Sequence, residues 1–262
     1  MPENTNDLPV QTSRRGSILI VTICREKAAN TINPETSFLL DKALNEAEAD
    51  DSVRAVILTG AGDRFFCAGQ DLKCLASGNS KGCVIPGHGW AGITERNFSK
   101  PLLAAINGYA LGGGTEIALT CDLVVAAESA SFGLPEVKRG IFAAGGGAIR
   151  IAHAVPKAAA MEILLTGDPI SAQKALEIGL INYVVPSSEL LERTVALAER
   201  VAANAPLSLK YTKQLYMKAL TSPESEAFEM SELIKKVIFN TEDSKEGPLA
   251  FIEKRQPKWT GK

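Results

Sequence analysis

Four short stretches of this chain are apolar almost without interruption: Ser17 to Ile23, Val53 to Thr59, Leu102 to Asn107 and Leu123 to Ala127. A strand with one wet face alternates apolar and polar residues, whereas these do not. They predict strands covered on both faces, as in a parallel sheet with layers on either side. The segments between them carry helix signals. Asn33 followed by Pro34 offers a capping side chain and then proline at the first helical position, opening a helix that is expected to run to about Asp50. The predicted class is α/β.

Three small-residue turns follow these strands: Phe66-Cys67-Ala68-Gly69-Gln70-Asp71, Gly108-Tyr109-Ala110-Leu111-Gly112-Gly113-Gly114, and Ser131-Phe132-Gly133-Leu134-Pro135. They lack a fixed period and so do not describe a short-repeat solenoid. They do predict stacked strand–turn–helix units whose turns meet along one side. Lys73 to Trp90 reads as an irregular loop. Beyond Pro156 the chain is mainly helical, with one late strand at Ile181 to Val185. The organisation expected is a flexible tail over residues 1–15, an αβ core over 16–205 and a helical lobe over 206–262.

At 262 residues and 45% hydrophobic, the chain is long enough for a sizeable core. Its formal net charge of -2, with no Lys/Arg run longer than two, argues against nucleic-acid or membrane-surface binding, which need a concentrated positive face. The five cysteines form no Cys-x-x-Cys pair and there are only two histidines, so no metal site is expected and a reducing compartment is. No apolar run is long enough to span a bilayer, and Met1 to Arg15 lacks the apolar segment of a signal peptide. A cytoplasmic protein is expected.

Glu116 and Glu136 lie 20 residues apart, each at the end of a glycine-containing turn. Read blandly, Glu116 is an acidic residue favoured by a helix dipole and Glu136 a solvated loop carboxylate. Read together, they fit an acid–base pair beside exposed backbone N–H groups. Gly113 and Gly114, if they open a helix, present free amides to developing negative charge, and a second amide from the Ala68-Gly69 turn would complete an oxyanion hole. Gly87-His88-Gly89-Trp90-Ala91-Gly92 fits G-x-G-x-x-G, but Pro86 and a Gly- and Ser-rich stretch precede it, so a loop or pocket wall is the better reading than a dinucleotide site. Asp122 reads as a strand-entry residue, His153 as a packing or surface residue, and Cys67 as a small buried thiol.

On these residues the chain resembles the crotonase (enoyl-CoA hydratase/isomerase) superfamily from about Ile18 to Arg255. Five stretches carry the likeness in order: Phe66 to Leu72, Asn107 to Glu116, Phe132 to Glu136, Leu165 to Asp168 and Ala250 to Arg255. The resemblance implies a spiral of ββα units and a helical C-terminal part that builds trimers or hexamers. It implies acyl-CoA thioester substrates, with CoA arriving as part of the substrate and no separate cofactor. Ala68 and Gly113 are implied as the oxyanion donors, and Glu116 and Glu136 as the catalytic pair. Ala68, Gly69, Gln70, Asp71, Leu72, Gly112 and Gly113 are implied along the substrate and its CoA. Arg25 or Lys27 would approach the phosphates, Phe251 and Lys254 would reach a neighbouring subunit's CoA, and Trp90 and Phe142 would line the acyl pocket. Two glutamates favour the hydratase type over Δ3,Δ2-isomerases, and Leu134 to Ile141 is similar to the carnitinyl-CoA dehydratase branch. The alternatives are those two activities or a non-catalytic binding protein on the same fold.

Overall fold

The computed structural model describes residues 8–262. The first two strands, β1 (Val10–Arg15) and β2 (Ile18–Ile23), form an antiparallel hairpin closed by Gly16 and Ser17. Gly16 has φ 57°, the left-handed region that tight hairpin turns require. Helix α1 (Pro34–Ala49) follows and is capped by Asn33, whose side chain accepts from the Thr36 N–H. Next come β3 (Ala55–Gly60), β4 (Phe65–Cys67) and the short α2 (Leu72–Ala76). A small hairpin, β5 (Val84–Ile85) with β6 (Gly89–Trp90), precedes β7 (Leu102–Ile106), β8 (Tyr109–Leu111) and α3 (Gly113–Thr120). Then follow β9 (Leu123–Ala127), β10 (Ser131–Gly133), a 3-10 turn at Pro135–Arg139 and α4 (Gly147–Ala154).

The remainder is α5 (Lys157–Thr166), β11 (Ile170–Ser171), α6 (Ala172–Glu177), β12 (Tyr183–Val185), α7 (Leu190–Ala202), α8 (Pro206–Thr221), α9 (Glu224–Ile238) and α10 (Asp243–Ile252). No described helix is long and apolar enough to cross a membrane.

One six-stranded sheet has the order β1-β2-β3-β7-β9-β12 and is parallel apart from β1. A second, four-stranded sheet has the order β11-β10-β8-β4, in which β4, β8 and β10 are parallel and β11 is antiparallel. Each unit therefore sends one strand to the large sheet, the next to the small sheet, and then enters a helix or turn. The pairs β3–β4, β7–β8 and β9–β10 repeat this step. The apolar runs are buried as their composition requires: Val56, Ile57, Leu103, Ala104, Val125 and Ala126 have no exposed surface. Helix α7 crosses the large sheet, contributing Val195 and Ala198 to its core.

Two expectations need correction, and one element carried no signal. Residues 1–15 are not a tail throughout: Val10–Arg15 form the edge strand β1, paired in register with all of β2. The backbone edge of β2 recruits them, and their polar side chains face water, which is why apolar patterning did not reveal the strand. Met1 to Asp7 lie outside the described residues. The stretch from Lys73 to Trp90 contains α2, a 3-10 turn at Asn79–Cys83 and the β5–β6 hairpin instead of an irregular loop. The small second sheet had no strand signal of its own, because β4, β8 and β10 are each three residues long.

Leu103 lies in β7 with its side chain fully buried between layers. Truncation there leaves a cavity in a close-packed interior, so Leu103→Ala should destabilise the protein by roughly 2–5 kcal/mol in urea unfolding.

Candidate active site

The pairing in the small sheet brings distant turns together. Cys67 is opposite Ala110, and Leu111 is opposite Gly133, so β4, β8 and β10 end side by side. The residues that follow each strand, from Ala68, from Gly112 and from Leu134, are consequently neighbours. Two further ties lock the three ends. The Gly112 N–H donates to the Gly133 carbonyl at 2.8 Å, and the Thr115 hydroxyl lies 2.6 Å from the Ala110 carbonyl while accepting the Gly133 N–H at 3.1 Å.

Gly112 has φ 56° and ψ -123°, a conformation costly for any residue with a Cβ, and it turns the chain directly into α3. Its neighbours leave no room either. A Cβ on Gly113 would fall 2.2 Å from the Trp90 ring, and one on Gly114 would fall 1.9 Å from the Cys67 carbonyl oxygen. The first turn of α3 is thus pressed against the end of β4, and the indole of Trp90 lies over Gly113. Trp90 is held there by its Nε1–H, which donates to the Gln70 side-chain oxygen at 2.6 Å. The Gln70 amide nitrogen in turn donates to the Cys83 thiol at 3.2 Å and the Ile32 carbonyl at 3.3 Å.

Glu116 is 5% exposed and sits in the first turn of α3. Its Oε1 accepts the Gly147 N–H at 2.9 Å, and a Cβ on Gly145 would fall 2.6 Å from its Oε2. Burial raises its pKa, opposed by backbone N–H groups of Gly147 and Gly145 and by the Arg150 charge. Glu136 is the opposite case. Its Oε2 is buried with no hydrogen-bond partner among the described residues, and its Oε1 would meet a Cβ on Gly112 at 3.1 Å. Burial pushes its pKa up to about 7, opposed by its own N–H and reinforced by the negative charge of Glu116. Two neighbouring carboxyls therefore lie in unlike surroundings, one cradled by N–H groups of a second segment and one with an unpartnered buried oxygen.

The oxyanion assignment needs a correction. The Ala68 N–H donates to the Ala29 carbonyl at 3.1 Å and is therefore engaged inside the fold. Two residues on, the Gln70 N–H has no acceptor among the described residues, although the Gly69 carbonyl and the Asp71 N–H on either side both bond Ile32. Gly69 lies so close to α3 that a Cβ would be 2.9 Å from the Gly113 nitrogen. The free amide beside Gly113 is that of Gln70.

Other expected residues fall into two groups. Arg25 pairs with Asp71 at 2.9 Å and also bonds Thr31, so it braces the 68–71 turn from within the protomer. Asp71 in addition caps α2. Leu72, Lys27 and Phe142 are exposed, Phe142 at 70%. Phe251, 85% exposed, and Lys254, at φ 55°, lie at the end of α10. Cys67 is fully buried with its thiol raised to about 12, as suits a packing residue. Asp122 accepts from the Leu102 N–H and the Lys213 ammonium, a strand-entry role, and His153 is exposed. The 87–92 glycine pattern forms the turn and second strand of the β5–β6 hairpin, pinned to α1 where His88 and Arg96 converge on Asp41. What the residue pattern did not disclose is the cradle of Glu116. Its only signal was the Gly145-Gly146-Gly147 triplet, a second glycine run opening a helix like the one at 112–114.

A two-sheet spiral with a glycine-framed carboxyl pair defines the class: a crotonase-type fold. The comparisons agree. The family model described as enoyl-CoA hydratase/isomerase matches residues 13–262. Carnitinyl-CoA dehydratase from Escherichia coli (strain K12) is 41% identical over 255 residues, covering 95% of this chain and 97% of the relative. Among solved structures, an enoyl-CoA hydratase from Mycobacterium tuberculosis H37Rv superposes with a TM-score of 0.93 at 43% identity, covering 98% of this chain and all of that one (100%). A carnitinyl-CoA hydratase from Mycobacterium avium matches with a TM-score of 0.77 at 44% identity, over 97% and 99% of the two chains. The chain belongs to the enoyl-CoA hydratase/isomerase family and is a crotonase-superfamily enzyme of the hydratase type, a hydro-lyase.

The raised Glu136 pKa has a consequence for stability. Between its ordinary value of 4.5 and about 7, the folded protein holds a proton that the unfolded chain has released. Folding stability from this group is thus greatest at low pH and falls as pH rises through that window. Glu136→Gln carries no such penalty. Its melting temperature relative to wild type should be higher at about pH 8 than at about pH 4, and a pH-independent difference in scanning calorimetry would refute the assignment.

Proposed function

We propose that the protein catalyses reversible addition of water to the C2–C3 double bond of a 2-enoyl-CoA thioester. The observation that carries this reading is the unequal carboxyl pair: Glu116 held by the Gly147 N–H, Glu136 buried with an unpartnered oxygen, both beside the free amides at the start of α3. In the hydration direction the thioester oxygen accepts from the N–H groups of Gln70 and Gly113. Glu116 orients the water and takes one of its protons as the oxygen bonds C3. Negative charge moves onto the thioester oxygen as an enolate, and Glu136 delivers its proton to C2 on the same face, giving syn addition. Each amide aimed at such an oxyanion is typically worth roughly 3–4 kcal/mol. Dehydration is the same path reversed. CoA is part of the substrate, and the polarising role falls to the amides, so the scheme calls for no metal or separate cofactor.

The acyl group has two candidates. A simple enoyl chain is favoured by the likeness to the M. tuberculosis hydratase, and a carnitine-derived chain by the relatives named carnitinyl-CoA dehydratase and hydratase. Trp90, over Gly113, would form one wall of the acyl pocket. We place the protein in the cytoplasm, in keeping with five free cysteines, and assign it to trimers or hexamers. Support for assembly comes from the apolar side chains left open on α8 and α9 and just beyond, among them Tyr216, Phe228, Leu233 and Phe239, each more than 60% exposed.

Glu116→Gln and Glu136→Gln should each lower hydratase turnover by about 10²-fold or more. The assay is hydration of crotonyl-CoA, longer 2-enoyl-CoAs and crotonobetainyl-CoA, with products identified by mass spectrometry. Near-wild-type rates in both variants would reject the mechanism. Loss in Glu136→Gln alone, together with conversion of 3-enoyl to 2-enoyl thioesters by the wild type, would establish an isomerase instead.

A further inference from the structure

Arg150 is a half-buried cation in α4 with no carboxylate bonded to it among the described residues. Its guanidinium instead donates to two backbone carbonyls from separate segments. Nη1 bonds the Gly145 carbonyl at 3.3 Å, and Nη2 bonds the Thr94 carbonyl. The first partner lies in the glycine run that cradles Glu116. The second lies in the segment that follows Trp90. Gly146, between the cradle residues, has φ 101°, and a Cβ on it would fall 2.0 Å from Nη1, so the guanidinium lies directly against this turn.

From this geometry we propose that Arg150 is a positioning residue for the acid–base pair: it clamps the Gly145–Gly147 cradle to the Trp90-bearing segment and thereby fixes the carboxylate of Glu116. The guanidinium suits the task because its planar fork holds its donors in fixed directions, whereas an ammonium is a compact point charge on a flexible stem. Its charge has a second effect. Arg150 is among the groups that oppose the burial-driven rise of the Glu116 pKa, alongside the N–H groups of Gly147 and Gly145. The charged and titratable groups facing this region are Glu116 and Cys121 from α3, Glu95 from the segment after β6, and Glu136 from the 3-10 turn. The Arg150 charge favours the ionised form of Glu116, so removing it should make Glu116 harder to ionise.

The inference rests on Glu116 acting as the base, so the test uses two readouts. Arg150→Gln should lower kcat roughly 10- to 100-fold with little change in KM, as expected when a reacting group is misplaced without loss of substrate contacts. It should also raise the Glu116 midpoint, followed by carboxyl ¹³C NMR of glutamate-labelled protein and assigned by difference from Glu116→Gln. Arg150→Lys keeps the charge but not the two-carbonyl clamp, so kcat should still fall while the midpoint stays near that of the wild type. An Arg150→Lys enzyme with wild-type kcat would overturn the clamp, whether or not Arg150→Gln folds. A folded Arg150→Gln protein with an unmoved Glu116 midpoint would overturn the electrostatic role. Should the wild type hydrate none of the thioesters tested, the proposed activity fails, and the NMR titration still decides what Arg150 does to Glu116.

Discussion

The parallel pairing of β4, β8 and β10 is the constraint on which the site depends. Three strands of three residues each contribute little core by themselves, yet their register sets where three turns end. Because parallel strands point the same way, the chain leaves all of them at one edge of the sheet. The Gln70 amide, the Gly113 amide and the Glu136 side chain belong to successive units of the spiral and meet for that reason. The Thr115 hydroxyl and the Gly112–Gly133 hydrogen bond then prevent the edge from fraying. The rigid core beneath, with Val56, Leu103 and Val125 sealed on both sides, holds the layer still.

On that edge, chemistry is divided by solvation. Taking a carboxyl out of water raises its pKa whatever its identity, and both glutamates show this direction. They differ in what opposes it. Glu116 lies at the positive end of α3, receives an N–H from the start of α4 and faces Arg150, all of which favour its ionised form. Glu136 has its own backbone N–H and a negative neighbour. In the proposed mechanism one acid accepts a proton and the other gives one. The two roles arise from packing around identical side chains.

Backbone hydrogen bonding also separates Ala68 from Gln70. Both lie in the same turn, and by residue type alone the small Ala68 is the more natural choice for close approach to a ligand. The neighbouring segment decides otherwise. Ala29 takes the Ala68 N–H, while Ile32 bonds the Gly69 carbonyl and the Asp71 N–H and leaves the amide between them free. The Arg25–Asp71 ion pair braces the same turn from the other side, so a residue expected to meet phosphate serves as scaffolding in the protomer.

From composition and pattern alone, this chain declares a buried parallel sheet, its helical continuation, its glycine turns and its two glutamates, because continuous apolar runs and glycines in tight places report local physical demands. The edge strand β1 and the cradle at Gly145–Gly147 were not legible in that way. Gln11 to Arg15 are polar residues enlisted by β2's unpaired edge, and Gly147 matters through one N–H that points at a residue 31 positions earlier. Which amide is free, which carboxyl is cradled and what Arg150 grips are long-range facts. They are decided only when strands pair and bury the groups, since hydrogen-bond partners and desolvation are properties of neighbours in space.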